Sequence, residues 1–536
     1  MATINDLPNE ILLLIFEHVP NKKELTHTCY RWSVLVGHML HLYIDLTLVD
    51  NIGKFLKMKF TRSYQHLTII GVMLMRAEFH WSGPFLRSKR ARYEIDPYEI
   101  IRKCLELTRR LEPYLSELSL SFGPTADHIL PAFLPRSSPS RLETLTIVFN
   151  CWYLQQPEDW AIDQLPLVAK DFKMEVAEMP KLRKLHYEDR RSKGDRMVRR
   201  KFFDTIVRNA KGITDITLQC SHYACYPDFR IMRSLSQQLQ HVSCVIWPIF
   251  TKEFFQLTFP RAETMKLRFA YCTTAPETAI HFFVNADCLT DLTVANVHNS
   301  EFFRHGVSKC SQLEKLSING RHEIAMDGMR SLDKLKELYL YSSQHCTEQN
   351  AVPCSQTLEK LVLDRCTVGF SFYSVLASNV PYITELHITG DELFDDECLQ
   401  AVCTSMVNLR RLKLTLMTFV EDPVTESGFQ NIENLCKLEY LYLESCDRGY
   451  FSQQENLCPT MFTDWVQKVT APHIHLKNFR KFNLHNLLDL VLNPNLKELV
   501  LEHCGNGIRM ADGMKKLKLL KNDVPNVLII SDDCRV

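Results

Sequence analysis

Nineteen cysteines and twenty histidines give this 536-residue chain ample material for metal or nucleophile chemistry, but their spacing excludes most of it. A structural zinc site needs paired ligands, such as one CxxC followed by a second CxxC or an HxxxH. No such set occurs. A catalytic thiolate needs a histidine partner and an electropositive setting, and no Cys/His pairing of that kind stands out. HExxH, GxSxG and Walker-type loops are also missing. The spaced glycines of GNGIRMADG, near 505, follow a strand-like hexamer and lack Lys-Ser/Thr, so they read as a turn. No metal and no cofactor is expected, and the chain reads as non-catalytic. An enzyme with its site in an insertion loop has no motif to support it.

The totals point the same way. Lys+Arg and Asp+Glu number 63 each, so no global basic field argues for nucleic acid. The cysteine count is odd and the residues are spread along the chain, which suits reduced core thiols of an intracellular protein better than a disulfide framework. No run of about 18 apolar residues is present, so no membrane span is expected. Two basic clusters, RSKRARY from Arg87 and DRRSKGDRMVRRK from Asp189 to Lys201, are open to two readings: an import or nucleic-acid patch, or solvated insertion loops. Zero net charge favours the loops.

Binding chemistry is better represented than catalysis. Glu337 and Tyr339, Glu385 and His387, Arg411 and Lys413, and Tyr440 and Tyr442 each occupy the third and fifth places of a hexamer L-x-x-L-x-L. In a strand those two places share a face. Tyr and Arg are enriched at energetic hot spots of protein interfaces. Earlier hexamers put smaller groups there: Thr144 and Thr146, Asp215 and Thr217, Asp291 and Thr293. The larger set marks residues 335 to 443 as the expected substrate-binding face.

The hexamers that must position these residues recur along most of the chain. Clear copies begin at 115, 142, 213, 289, 313, 335, 358, 383, 409, 438 and 496. Weaker ones are LRKLHY at Leu182, LQHVSC at Leu239, AETMKL at Ala262, FRKFNL at Phe479 and VPNVLI at Val524. From 289 to 409 the starts advance by 24, 22, 23, 25 and 26 residues, the period of leucine-rich repeats. Three copies extend to a terminal cysteine: LEKLVLDRC, LEYLYLESC and LKELVLEHC, ending at Cys366, Cys446 and Cys504. They resemble the cysteine-containing leucine-rich repeats often found behind an F-box. Each hexamer predicts a short parallel strand, with a helix or irregular return such as DDECLQAVCTSMVN on the outer side. Gaps of about 40 residues after Leu142 and Leu438 predict insertions. GPTADHILPAFLPRSSPSR, 123 to 141, reads as a loop. YIDLTL at Tyr43 and YQHLTI at Tyr64 read as irregular first repeats that cap the array.

The opening segment INDLPNEILLLIFEHV is a helix pattern with too much apolar surface. Leu7, Ile11, Leu14 and Ile15 share one face, and Leu12, Phe16 and Val19 share the next. That arc is roughly twice the 100° a surface helix needs, so two sides require cover. A second helical pattern follows with Leu25, Cys29, Trp32 and Val36 in register. Leu7-Pro8-x-Glu10-Ile11, Ile15-Phe16, Leu25 and Cys29-x-x-Trp32 together resemble the F-box motif. The resemblance implies docking to a Skp-family adaptor, and through it to a cullin–RING ligase core, by Leu7, Pro8, Glu10, Ile11, Leu14, Ile15 and Trp32.

The expected architecture is therefore α/β. A small helical F-box (1–40) is followed by a transition or capping segment (41–110) and a curved leucine-rich-repeat solenoid (111–536) with parallel strands on its concave face. The expected function is the substrate-recognition subunit of a Skp–cullin–F-box ubiquitin ligase, intracellular in the cytoplasm and/or nucleus, holding an unidentified protein target. The alternative is a non-catalytic interaction scaffold without a ubiquitination role. No nucleic-acid or membrane partner is expected.

Overall fold

The structure, a computed structural model, describes scattered positions between 4 and 32. It then describes 41–46, 49–59, 64–72, 97–122, 130–136, 140–149, 176–190, 196–223, 229–273, 282–283, 285–297, 302–320, 331–342, 355–417, 424–446, 464–479, 482–505 and 526–530. The chain divides into two compact units, 1–249 and 250–536.

In the first unit seven strands pair in parallel, each with the next in sequence. They are β1 (His41–Asp45), β2 (His66–Val72), β3 (Glu117–Phe122), β4 (Thr144–Phe149), β5 (Lys184–Asp189), β6 (Asp215–Cys220) and β7 (His241–Ile246). The register places apolar on apolar: Leu67 opposite Leu118, then Leu145, Leu185, Ile216 and Val242. A one-residue slip would turn that row out of the core, so the hexamer itself fixes the pairing. Successive parallel strands need a return segment. Helices Val49–Lys57, Pro97–Leu111, Arg196–Asn209 and Phe229–Ser236 lie in four of these returns. A line of rings joins strands to returns: Phe133 to Phe122, Phe122 to Phe149, Phe149 to Tyr187 and Tyr187 to Phe203, with centroids 5.3–5.7 Å apart.

Three sequence expectations change here. The first strand is His41–Asp45, with Leu42 opposite Leu67, so its register is not that of YIDLTL at Tyr43. Leu46 follows the strand, and the helix Val49–Lys57 begins soon after. The stretch 123–141 is more than a loop. It contains the 3₁₀ turn Leu130–Phe133, and Ala132, Phe133 and Leu134 are buried. The basic run 189–201 is not simply solvated. Asp189 ends β5 and Arg199 lies in the helix Arg196–Asn209. Both side chains are fully buried, and Arg199 Nη1 donates to Asp189 Oδ2. RSKRARY lies outside the described residues.

In the second unit β8 (Thr264–Thr273), β9 (Asp291–Val297), β10 (Lys315–Asn319), β11 (Glu337–Tyr341), β12 (Lys360–Asp364), β13 (Glu385–Thr389), β14 (Arg411–Met417), β15 (Tyr440–Cys446), β16 (His473–Lys477), β17 (Glu498–Glu502) and β18 (Asn526–Ile530) pair in the same sequential, parallel manner. Leu338, Leu361, Leu386, Leu412 and Leu441 stack across five strands, and each is fully buried. Helices Phe370–Asn379, Asp396–Ser405 and Leu484–Val491 form returns. DDECLQAVCTSMVN becomes the second of these, its start capped by Asp395, whose Oδ1 accepts from the Cys398 N–H at 2.8 Å.

The backbone gives the repeats a common phase. Asn296, Ser342, Arg365, Gly390, Asn478 and His503 all have φ between 53° and 64°. Five of them stand seven residues after the first apolar residue of a hexamer named above: Leu289, Leu335, Leu358, Ile383 and Leu496. The sixth, Asn478, stands seven after Ala471. Left-handed residues end the strand and turn the chain into its return. The repeat that FRKFNL at Phe479 suggested is therefore APHIHL from Ala471, which forms β16; Phe479 lies beyond that strand and is buried.

The next residue in the repeat faces the core. Cys366 Sγ donates to Leu340 O and Cys504 Sγ to Leu476 O, both at 3.3 Å, tying each repeat to an earlier strand. Cys446 is only half-buried. Burial pushes Cys104, Cys310 and Cys403 up to about 12 and Cys504 to about 11. Alkylation of the native protein at pH 8 is thus expected to label the exposed Cys288 and Cys436 and spare these four, because the thiolate is the nucleophile. Peptide mass spectrometry after a short iodoacetamide pulse reads the difference. Rapid labelling of Cys104 or Cys310 would contradict the burial.

Candidate functional site

Between 335 and 443 the hexamers place their third and fifth residues on one sheet face, as alternation requires. Register makes rows of them. Glu337, Lys360, Glu385, Arg411 and Tyr440 form one row across β11–β15; Tyr339, Val362, His387, Lys413 and Tyr442 form the next. All eight residues expected to bind substrate lie on this face: Glu337 and Tyr339 on β11, Glu385 and His387 on β13, Arg411 and Lys413 on β14, Tyr440 and Tyr442 on β15. Strand β12 is interposed, so Lys360 and Val362 belong to the face as well.

The polar groups are largely occupied with one another. Lys360 and Arg411 lie 3.1 and 3.7 Å from the same Glu385 oxygen. His387 Nε2 reaches that oxygen at 2.8 Å. Tyr339 donates to Glu337 at 2.8 Å, with Lys315 and Lys360 over its ring at 5.1 and 5.8 Å. Arg411 lies over Tyr440 at 5.0 Å and Lys413 over Tyr442 at 4.6 Å. Tyr442 is 7% exposed, so its ring supports Lys413 more than it meets solvent. Burial raises the Tyr339 and Tyr442 hydroxyls, with their Glu337 and Glu444 acceptors adding to it. Burial lowers the His387 imidazole despite Glu385.

The face continues beyond the expected limit. β16 contributes His473, His475 and Lys477, and β17 contributes Glu498 and Glu502. His473 pairs with Glu498 at 3.0 Å, and Lys477 with Glu444 and Glu502 at 3.6 and 3.2 Å. The His475 ring meets Tyr442 edge-on at 4.8 Å. For the β16 residues the signal was the alternation in HIHLK; an alanine in the first apolar place hid it. Among the described residues no group of three or more His, Cys, Asp and Glu side chains could hold a metal ion, and no helix is long and apolar enough to cross a membrane.

At the N-terminus Ile11, Leu12, Ile15 and Phe16 are helical, and so are Leu25, Arg31 and Trp32. Leu12 and Phe16 are buried, and Phe16 meets the Trp32 ring at 4.8 Å. Arg31 Nη2 donates to Leu7 O at 2.6 Å, tying the second helical stretch to the start of the first. Ile11 and Ile15, one turn apart, stay 43% and 38% exposed. Of the residues expected to contact an adaptor, Leu7, Ile11 and Ile15 are half-buried or exposed. Trp32 is turned inward. Pro8, Glu10 and Leu14 lie outside the described residues.

Parallel hexamers in one register, left-handed turns seven residues from six of the hexamer starts and a stacked leucine core define a leucine-rich-repeat fold, an architecture typical of protein-interaction scaffolds. Comparison with family models and with curated proteins finds no match. Among solved structures the chain resembles an internalin from Listeria monocytogenes, with 15% identity over 64% of this chain and 82% of that one and a TM-score of 0.32. The class assignment rests on the register and repeat phase rather than on that likeness.

Proposed function

We propose that the chain is the substrate-recognition subunit of a Skp–cullin–F-box ubiquitin ligase. Its N-terminal helices hold a Skp-family adaptor and, through it, the cullin–RING core, while the repeat face holds a protein target. The chain contributes proximity and orientation to ubiquitin transfer, turning an encounter between target and ligase into an effectively intramolecular one. The free thiols of the eleven described cysteines suit an intracellular setting, cytoplasm or nucleus.

The observation that carries this reading is the two-sided N-terminal helix. Leu12 and Phe16 serve its own core, which leaves Ile11 and Ile15 as an apolar strip suited to a partner's groove. Replacing both, Ile11→Asp with Ile15→Asp in the full chain, is expected to weaken capture of a purified Skp-family adaptor by at least about tenfold. The melting temperature should stay close to that of the parent, because neither side chain is buried. Unchanged capture would overturn the docking reading. Accumulation of captured targets when the protein is lost separates a ligase subunit from a scaffold that binds without promoting ubiquitination.

A further inference from the structure

From β10 to β17 the lysines and arginines of the face have carboxylate partners with one exception. Lys315 pairs with Glu337, Lys360 and Arg411 with Glu385, and Lys477 with Glu444 and Glu502. Lys413 has the Tyr442 ring at 4.6 Å, and among the described residues no carboxylate lies within ion-pair distance of it. It is half-buried and sits in the middle row. On one side that row runs through His387 and Val362 to Tyr339; on the other it runs through Tyr442 and His475 to Val500.

This arrangement is selective. The flanking rows, Lys315 to Arg411 and Glu444 to Glu502, satisfy their charges internally and offer little to a ligand that would have to break those pairs. A ligand covering the middle row removes water from Lys413, and that is unfavourable unless it supplies an anion. The two imidazoles cannot neutralise one at pH 7. Burial holds both His387 and His475 below 6.5, and Lys413 is among the cations that lower them further. Their Nε2 atoms already face carboxylates, His387 on Glu385 at 2.8 Å and His475 on Glu502 at 3.3 Å, so Lys413 is the charge left for a ligand. Val362 and Val500 add apolar ground at either end.

We propose that the middle row, centred on Lys413, binds an extended protein segment carrying one anionic side chain, with apolar or aromatic side chains on either side of it. Charge complementarity selects the central group. The seven strands from β11 to β17, at roughly 4.8 Å spacing, span roughly 29 Å, about nine residues of extended chain. The proposal rests on the reading of this face as a target-binding surface and names the chemistry of the target.

The test uses the full chain against immobilised nine-residue peptides. Their central residue is Glu, phosphoserine, Gln or Lys, and their flanking positions are randomised among Leu, Val, Phe and Ser. Enrichment of Glu- or phosphoserine-centred peptides over Lys-centred ones by about tenfold is expected, and the ratio between those two arms identifies the anion. Lys413→Glu should reverse the preference toward Lys, and Lys413→Met should abolish it without creating a new one. The methionine variant retains a side chain of similar length over Tyr442, which guards against a folding artefact. Enrichment without regard to the central residue, or a preference unmoved by Lys413→Glu, overturns the assignment of Lys413 and leaves the face a binding surface. Failure to enrich any peptide, with adaptor capture intact, overturns the target-binding reading of the face together with this proposal.

Discussion

Arg199→Met is expected to lower the stability of the first unit by about 3–5 kcal/mol, the cost of leaving a buried charge without its partner. Asp189 closes β5 and Arg199 projects from the helix Arg196–Asn209; both side chains are fully buried. The guanidinium also lies 5.7 Å from the Phe149 ring centroid, within the aromatic line that joins strands to returns. Removing the arginine breaks this fully buried ion pair from one side, and a buried carboxylate is costly to keep once an opposite charge is taken from it. The double variant Asp189→Asn with Arg199→Met removes both charges and should recover at least half of the loss. Urea denaturation followed by circular dichroism reads both, using the midpoint of the earliest transition, because repeat arrays need not unfold in one step. A shift below about 1 kcal/mol for Arg199→Met would show that the pair is not buried as described.

That pair also shows where the sequence was legible and where it was misread. DRRSKGDRMVRRK looks like a solvated charge run when only its composition is counted. Its spacing says otherwise, for Arg199 stands three, four and seven residues before Phe202, Phe203 and Ile206. All three are buried, and that spacing puts them on one helix face. The arginine belongs to the apolar stripe, and only an acidic partner can make its burial tolerable. The partner is the last residue of the strand before it, beyond the reach of local pattern reading.

The repeat array was legible because its signal is redundant. Leucine at the first, fourth and sixth places reports strand, face and register together, and the roughly 24-residue spacing reports parallel stacking. The signal fails where one place is filled differently. Ala471 heads β16 and is buried as the leucines are, yet a small residue in that place does not read as a repeat start. At the N-terminal end Leu42 and Ile44 were present, but the following Leu46 and Leu48 offered a competing register. The eight face residues were legible from alternation alone. Their pairing was not, because Lys360 reaches Glu385 across 25 residues and Lys477 reaches Glu444 across 33. Which cation is left unmatched depends on the sheet rather than on any one strand.

Asp391→Asn is expected to stabilise the second unit at pH 8 by about 2–4 kcal/mol and to flatten its stability profile between pH 4 and 7. Asp391 follows the left-handed Gly390, so it occupies the place that Cys366 and Cys504 hold in other repeats. It is 3% exposed. One oxygen accepts the Val368 and Leu393 N–H groups at 3.3 and 3.1 Å, and the other accepts the Tyr373 hydroxyl at 2.9 Å. Burial pushes its pKa up from 3.8 to about 7, outweighing those three hydrogen bonds, which act to lower it. The folded state therefore holds the proton more tightly than the unfolded chain. Stability is greatest below the unfolded value near 4 and declines as pH rises toward 7, the reverse of a salt-bridged carboxylate. Asparagine keeps the acceptor for both N–H groups, and its amide can donate to the Tyr373 oxygen, so the geometry survives without the charge. Asp391→Ala should instead destabilise at every pH, because it strands the buried Val368 N–H, the part-buried Leu393 N–H and the buried Tyr373 hydroxyl. Melting curves of the parent and both variants at pH 5 and 8 decide the matter. The idea fails if the parent and the asparagine variant keep a constant separation across that range, since a group that stays charged throughout would add no slope.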